Sequence, residues 1–148
     1  MLHAFVVIVD SGGFPGVSRT ERLGSLYLAM QSVGALLWWV MLLTVPASRR
    51  HFMAADTPDV TLLAFAAADA LLYIGAGAGS AYAIATRRGW AWPCLCLHTG
   101  AAIYAGLYCW GLTVLTAGDG WLGAAMMTPS MIVPGWLAWA LKPRGMRC

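Results

Sequence analysis

The chain has 148 residues, enough for one domain, and 60% of them are hydrophobic while only 10% are charged. Soluble domains carry about 25% charged residues, so most of this surface must face something other than water, and a lipid bilayer is the plain candidate. The net charge of +3 comes from nine Lys and Arg residues that border the apolar runs, and the lack of a basic stripe argues against a nucleic-acid partner.

Four apolar stretches follow one another, each long enough for a helix that crosses a hydrocarbon core. They cover about 23–45, 60–86, 90–117 and 121–141. We expect all four to be helical, because an open strand in lipid would leave backbone groups without partners. The sequence therefore predicts an all-α integral membrane protein, a single domain over 1–148 that forms an antiparallel bundle of four transmembrane helices with short loops. Residues 1–20 are predicted to be a flexible or interfacial lead-in.

Polar residues at the borders of these stretches predict the topology. Residues 56–59 (Asp-Thr-Pro-Asp) are typical of a helix start, and residues 118–120 (Gly-Asp-Gly) of a tight turn. With the N-terminus inside, the inner side carries seven cations, namely Arg19, Arg22, Arg87, Arg88, Lys142, Arg144 and Arg147. The outer side then carries only Arg49 and Arg50. This asymmetry predicts a multi-pass protein, of a bacterial inner membrane, with both termini in the cytoplasm.

Asp69 is the only acidic residue within the four stretches. It lies ~13 Å below the outer border at 1.5 Å per residue, near mid-membrane. A carboxylate there costs about 2.5–3.5 kcal/mol to insert, so it should face the bundle interior or a wet cavity. We expect it to form a ligand-binding pocket in the outer half together with Tyr73, Tyr104, Tyr108, Trp38, Thr128 and Ser130. The competing interpretation is a structural carboxyl that holds the second helix against the third.

Two further patterns concern helix packing. The small-residue run 75–81 contains Gly-x-x-x-Gly and predicts a close approach between the second and third helices. Pro129 and Pro134 each remove a backbone donor from the fourth helix. They should bend or break that helix and free carbonyl groups near Ala125 and Ser130.

No metal site, cofactor or catalytic motif is predicted. Cys94 and His98 share one helix face, but no other predicted span supplies a further His or Cys ligand. Cys94 and Cys96 point to opposite sides of their helix and cannot readily form a disulfide with each other. The chain also lacks a phosphate-binding loop, a Gly-x-Ser-x-Gly elbow and a His-Glu-x-x-His pair.

Three functions remain open on these observations. The leading one is a non-enzymatic protein that binds a lipophilic small molecule or a lipid in the pocket around Asp69, and it predicts an outer-half cavity. The second is an accessory or assembly subunit, bound to a membrane-protein partner or to further copies of itself, which predicts a filled interior. The third is a membrane-embedded lipid-modifying enzyme, which requires a second catalytic group within reach of Asp69.

Overall fold

The structure, a computed structural model, describes residues 18–54 and 57–142. Within these ranges the protein is helical with connecting turns and contains no strand. Its long helices are α1 (Arg19–Thr44), α2 (Asp59–Ala85), α3 (Ala91–Leu115) and α4 (Trp121–Ala140). A short 3-10 helix, Pro46–His51, follows α1. The predictions made for residues 1–17, for Asp56 and for Arg144 and Arg147 lie outside the described residues.

A capping box begins α1 four residues before the predicted span. The Ser18 hydroxyl accepts a bond from the Glu21 backbone N–H at 3.2 Å, and the Glu21 carboxylate accepts one from the Ser18 N–H at 2.6 Å. Each side chain thereby satisfies a backbone donor that the first helical turn leaves without a partner. The Ser-x-x-Glu spacing at these positions is the sequence signal for this start.

The irregular helix is α2, whereas the prolines were expected to disrupt α4. Within α2, the α-helical turns Asp59–Leu63 and Ala66–Ala68 precede a π-helical segment, Asp69–Gly75, and the helix ends as the regular segment Ala76–Ala85. The prolines were expected to bend or break α4, and a break is wrong, because α4 runs without interruption through Pro129 and Pro134.

A side chain of α1 satisfies the carbonyl that Pro134 frees in α4. This proline has no N–H for the carbonyl four residues earlier, that of Ser130. The Gln31 side chain donates to this carbonyl at 3.2 Å and so takes the place of the missing donor. The freed carbonyl expected at Ser130 is therefore present, and it is satisfied from α1.

Neighbouring helices pack in opposite directions. The contacts that fix this are Ser25 with Ala81 and Trp39 with Asp69 between α1 and α2, Tyr73 with His98 and Phe65 with Tyr108 between α2 and α3, and Trp92 with Ala138 and Trp110 with Thr128 between α3 and α4. In each pair, the earlier residue of one helix meets the later residue of the next. Tyr27 in α1 also donates to the backbone carbonyl of Pro129 in α4 at 3.0 Å, which brings the first and last helices together.

The small-residue run of α2 lies where three helices come closest. A Cβ added at Gly77 would lie 2.5 Å from the Ser32 hydroxyl of α1 and 3.0 Å from the His98 ring of α3. The run therefore packs on α3, as predicted, and on α1 as well. Next to it is an apolar core formed by Leu28, Ala81, Ile84, Leu95 and Leu137.

Among the described residues, α1 and α2 are long and apolar enough to cross a membrane. They have 26 and 27 residues, and each contains an 18-residue window with a mean hydropathy of 1.7. Only 22% and 17% of these windows are buried inside the protein, whereas the core helix of a soluble protein is mostly buried. Their apolar side chains therefore point largely outward.

Candidate functional site

A cavity of about 310 Å³ opens between the helices, near the end where α1 connects to α2 and α3 turns into α4. Trp38, Trp39, Phe65 and Tyr108 contribute aromatic rings to its wall, and Met126 and Met127 of α4 contribute flexible thioethers. Polar lining groups are few, and they include Gln31, Thr57, Thr61, Asp69, Tyr73, Cys109 and Ser130. The arrangement is an apolar chamber with a small number of polar groups, the composition typical of small-molecule sites.

The Asp69 carboxyl is held in the cavity wall by a tryptophan. The Trp39 ring N–H donates to Asp69 Oδ2 at 3.0 Å, and Trp39 itself is buried. The indole ring carries one hydrogen-bond donor and no acceptor, so it binds only one of the two carboxyl oxygens. Asp69 is therefore oriented by α1 while it contributes to the lining of the chamber.

One π-helical turn away, Tyr73 connects three helices. Its phenolic oxygen accepts a bond from Gln31 Nε2 at 2.6 Å, and the same amide nitrogen donates to the Ser130 carbonyl at 3.2 Å. The backbone carbonyl of Tyr73 accepts a bond of 2.8 Å from His98 Nδ1. Because a carbonyl has no proton to give, this bond places the imidazole proton on Nδ1. Side chains from α1 and α3 thus fix the part of α2 that carries both Tyr73 and Asp69.

The π-helical segment explains the position of both residues. A π-helix widens the turn and loosens the regular backbone ladder, and such segments are frequent at functional sites. Here Asp69 begins the segment and Tyr73 lies inside it, and both line the cavity. The bond from His98 to the Tyr73 carbonyl falls within this loosened stretch.

Aromatic rings form two groups in the cavity wall. Trp38 contacts Trp39 edge-on with ring centroids 5.1 Å apart, and it contacts Phe52 edge-on at 5.4 Å. Phe65 and Tyr108 form a second pair with centroids 5.0 Å apart. Both groups therefore line the same cavity as Asp69.

The structure brings together five of the seven residues predicted for the pocket. Those that line the cavity are Trp38, Asp69, Tyr73, Tyr108 and Ser130. Tyr104 does not line it and is 65% exposed on the outer side of α3. Thr128 is also absent from the lining, and its hydroxyl accepts a bond from the Trp110 ring N–H at 3.1 Å.

Sequence reasoning missed Gln31 and Trp39 as parts of the site. The depth of Trp39 matched that of Asp69, but Trp38 is adjacent in the chain and on another side of the helix. The sequence alone gives no rule for choosing between them. Gln31 could have been identified, because Pro134 in α4 frees the Ser130 carbonyl and an amide side chain on a neighbouring helix can donate to it.

Metal binding finds no support in the described part of the chain, where no group of three or more His, Cys, Asp or Glu side chains could hold an ion. No protein-family model, curated protein or solved structure matches the chain. A function for this chain therefore has to be inferred from the cavity and its hydrogen bonds.

Proposed function

We propose that the chain is a membrane protein of four transmembrane helices that binds a lipophilic small molecule or a lipid in the cavity around Asp69. The observation that carries the proposal is an apolar, aromatic chamber of about 310 Å³ into which a few polar groups converge. An open chamber favours binding over the accessory-subunit alternative, for which a filled interior is expected. The enzyme alternative has less support, since the ionisable residues that line the cavity with Asp69 are Tyr73, Tyr108 and Cys109.

Membrane crossing by α3 and α4 is supported by their composition and length. Neither helix contains a Lys, Arg, Asp or Glu residue. Their 25 and 20 residues make helices of roughly 37 and 30 Å, enough for a hydrocarbon core of about 30 Å. Large apolar side chains are exposed along both, including Leu107, Val114, Ile132, Trp136 and Trp139. Such an exposed apolar surface fits lipid and not water.

Cysteine labelling tests the four crossings and their orientation. In a variant without the native cysteines, Ala47→Cys and Ala117→Cys should react with a membrane-impermeant maleimide from outside intact cells. Gly89→Cys should react only after permeabilisation, because this turn lies on the cytoplasmic side in the proposed topology. If only α1 and α2 crossed the membrane, Ala117 and Gly89 would lie on the same side and would label together, which would contradict the proposal.

Polar atoms of the cavity-lining residues also support a binding role. In the described ranges four buried side-chain polar atoms have no hydrogen-bond partner. Two of them, the Gln31 carbonyl oxygen and the Trp38 ring nitrogen, belong to cavity-lining residues, and the other two belong to His98 and Thr99. Buried polar groups are nearly always paired, so an acceptor and a donor without partners at one site call for an explanation. A bound molecule with its own polar group, reached by a small rotation of either side chain, supplies one.

Thermal unfolding in detergent tests the binding function. A total lipid extract should raise the unfolding temperature of the wild-type protein and raise that of Asp69→Asn less. Asp59→Asn is the matched control, because Asp59 pairs with Arg49 at 2.7 Å outside the cavity. If the extract stabilises all three proteins equally while Asp69→Asn simply melts lower, Asp69 is a packing residue. The accessory-subunit function would then take the place of the proposed one.

A further inference from the structure

We infer that the preferred occupant of the cavity is a lipophilic organic cation, a molecule whose positive charge is spread over or shielded by apolar groups. This inference rests on the proposed binding function and adds the chemical class of the ligand. Three features of the cavity support the inference: its single acidic lining residue, its aromatic walls and its small number of oxygen ligands.

The described lining of the cavity contains a single acidic residue. Asp69 lines the cavity, whereas no Lys, Arg or His residue is found among the described residues that line it. The ion pair that the described ranges do contain joins Arg49, in the connection between α1 and α2, to Asp59, the first residue of α2, and neither residue lines the cavity. A carboxylate in a low-dielectric chamber attracts a cation strongly, since the attraction between charges grows as the effective dielectric constant falls. The described residues of the cavity wall supply no such cation.

The walls of the chamber suit a cation that is weakly hydrated. Trp38, Trp39 and Phe52 form one aromatic group, and Phe65 with Tyr108 forms another. Both groups line the cavity together with Asp69, whose carboxyl is bonded to Trp39. The face of an aromatic ring is negative, and a cation above it is attracted, most strongly when water is excluded. Aromatic side chains around one acid are therefore suited to an organic ammonium, phosphonium or pyridinium group.

A small inorganic cation fits the chamber less well. Such ions replace their hydration shell with six or more oxygen ligands held close together. The lining offers one carboxyl, already bonded to Trp39, and a few hydroxyl groups dispersed over different helices. An organic cation needs no such shell, because its apolar substituents contact the walls directly.

Two triphenylphosphorus compounds of similar bulk test the inference by calorimetric titration in detergent. Methyltriphenylphosphonium carries a positive charge, and triphenylphosphine oxide is neutral. The wild-type protein should bind the phosphonium at least about tenfold more tightly than the oxide. Asp69→Asn should lose this preference, and Asp59→Asn should retain it.

A second variant guards against a loss of binding that merely reflects poor folding of Asp69→Asn. Phe65→Leu retains an apolar side chain but removes an aromatic ring from the cavity wall. Its affinity for the phosphonium should fall by about 2- to 30-fold more than its affinity for the oxide. An equal loss for both compounds would indicate lost packing and would overturn the cation assignment.

The remaining outcomes separate this inference from the proposed function. Equal affinity of the wild-type protein for the two compounds, or an unchanged preference in Asp69→Asn, overturns the cation inference but leaves a lipophilic binding site in place. Failure of the wild-type protein to bind either compound also overturns it. The proposed function then stands or falls separately on the stabilisation of the wild-type protein by lipid extract.

Discussion

Gly77 is the position where replacement of one hydrogen by a methyl group should have the largest effect on stability. In Gly77→Ala the new Cβ would lie 2.5 Å from the Ser32 hydroxyl and 3.0 Å from two atoms of the His98 ring. Neither neighbour can move freely, since Ser32 donates to the Leu28 carbonyl at 2.9 Å and His98 is bonded to Tyr73 at 2.8 Å. Overpacking of this kind costs about 1–3 kcal/mol.

A matched control separates this packing effect from helix propensity. Gly100 is also a helical glycine, but a Cβ added there would meet nothing within 4 Å. Alanine is favoured over glycine in a helix by about 0.8–1.0 kcal/mol, and this gain applies to both variants. The difference between the free energies of unfolding of Gly100→Ala and Gly77→Ala should therefore equal the packing term, about 1–3 kcal/mol.

The assay is unfolding by sodium dodecyl sulfate in mixed micelles, followed by tryptophan fluorescence. Gly100→Ala should unfold at the same or a higher denaturant fraction than the wild-type protein, and Gly77→Ala at a lower one. If the two variants were equally stable, the three helices would not approach as closely at Gly77 as the structure places them, and the reasoning would be refuted.

Two further perturbations concern the hydrogen bonds of the site. Trp39→Phe removes the donor to the half-buried Asp69 carboxyl and should lower the free energy of unfolding by about 1–3 kcal/mol. Trp110→Phe, which removes an exposed hydrogen bond, should have a smaller effect in the same titration. Gln31→Leu should also destabilise by about 1–3 kcal/mol, because it leaves a carbonyl of α4 without its donor. That loss should shrink in a Pro134→Ala background, where the restored helical N–H serves the carbonyl, and an equal loss in both backgrounds would argue against this pairing.

The helical elements could be predicted from the sequence because hydrophobic length and turn residues specify them directly. Runs of apolar residues bounded by Pro46, by residues 118–120 and by cation pairs place each helix end within a few residues. An inward position of Asp69 was expected from the cost of a carboxyl in lipid, and the structure has it in the cavity wall.

The irregularities could not be predicted in the same way. Pro134 was an evident signal for a break, yet its consequence depends on whether another helix can satisfy the freed carbonyl, and Gln31 does so. The π-helical segment Asp69–Gly75 contains no proline that would have indicated it in the sequence. It coincides with side-chain bonds from other helices, among them Trp39 to Asp69 and His98 to the Tyr73 carbonyl. Such contacts depend on the packing of helices far apart in the chain, which a local pattern does not record.

The same distinction applies to the pocket residues. Position along a predicted span can be counted from the sequence, and Tyr108 and Ser130, which were chosen in this way, both line the cavity. The side of a helix that faces the cavity depends on its rotation about its axis. Tyr104 lies four residues before Tyr108 and was expected to share its role, but it lies outside the cavity and is mainly exposed.

Native mass spectrometry of the protein purified in mild detergent tests the binding function most directly. The wild-type protein and Gly100→Leu should retain a co-purified lipophilic molecule as an added mass. Gly34→Leu should lose it, because Gly34 lines the cavity and has open space beside it that a leucine would fill. An added mass of equal abundance in all three proteins, or in none of them, would contradict a ligand-binding role for the cavity.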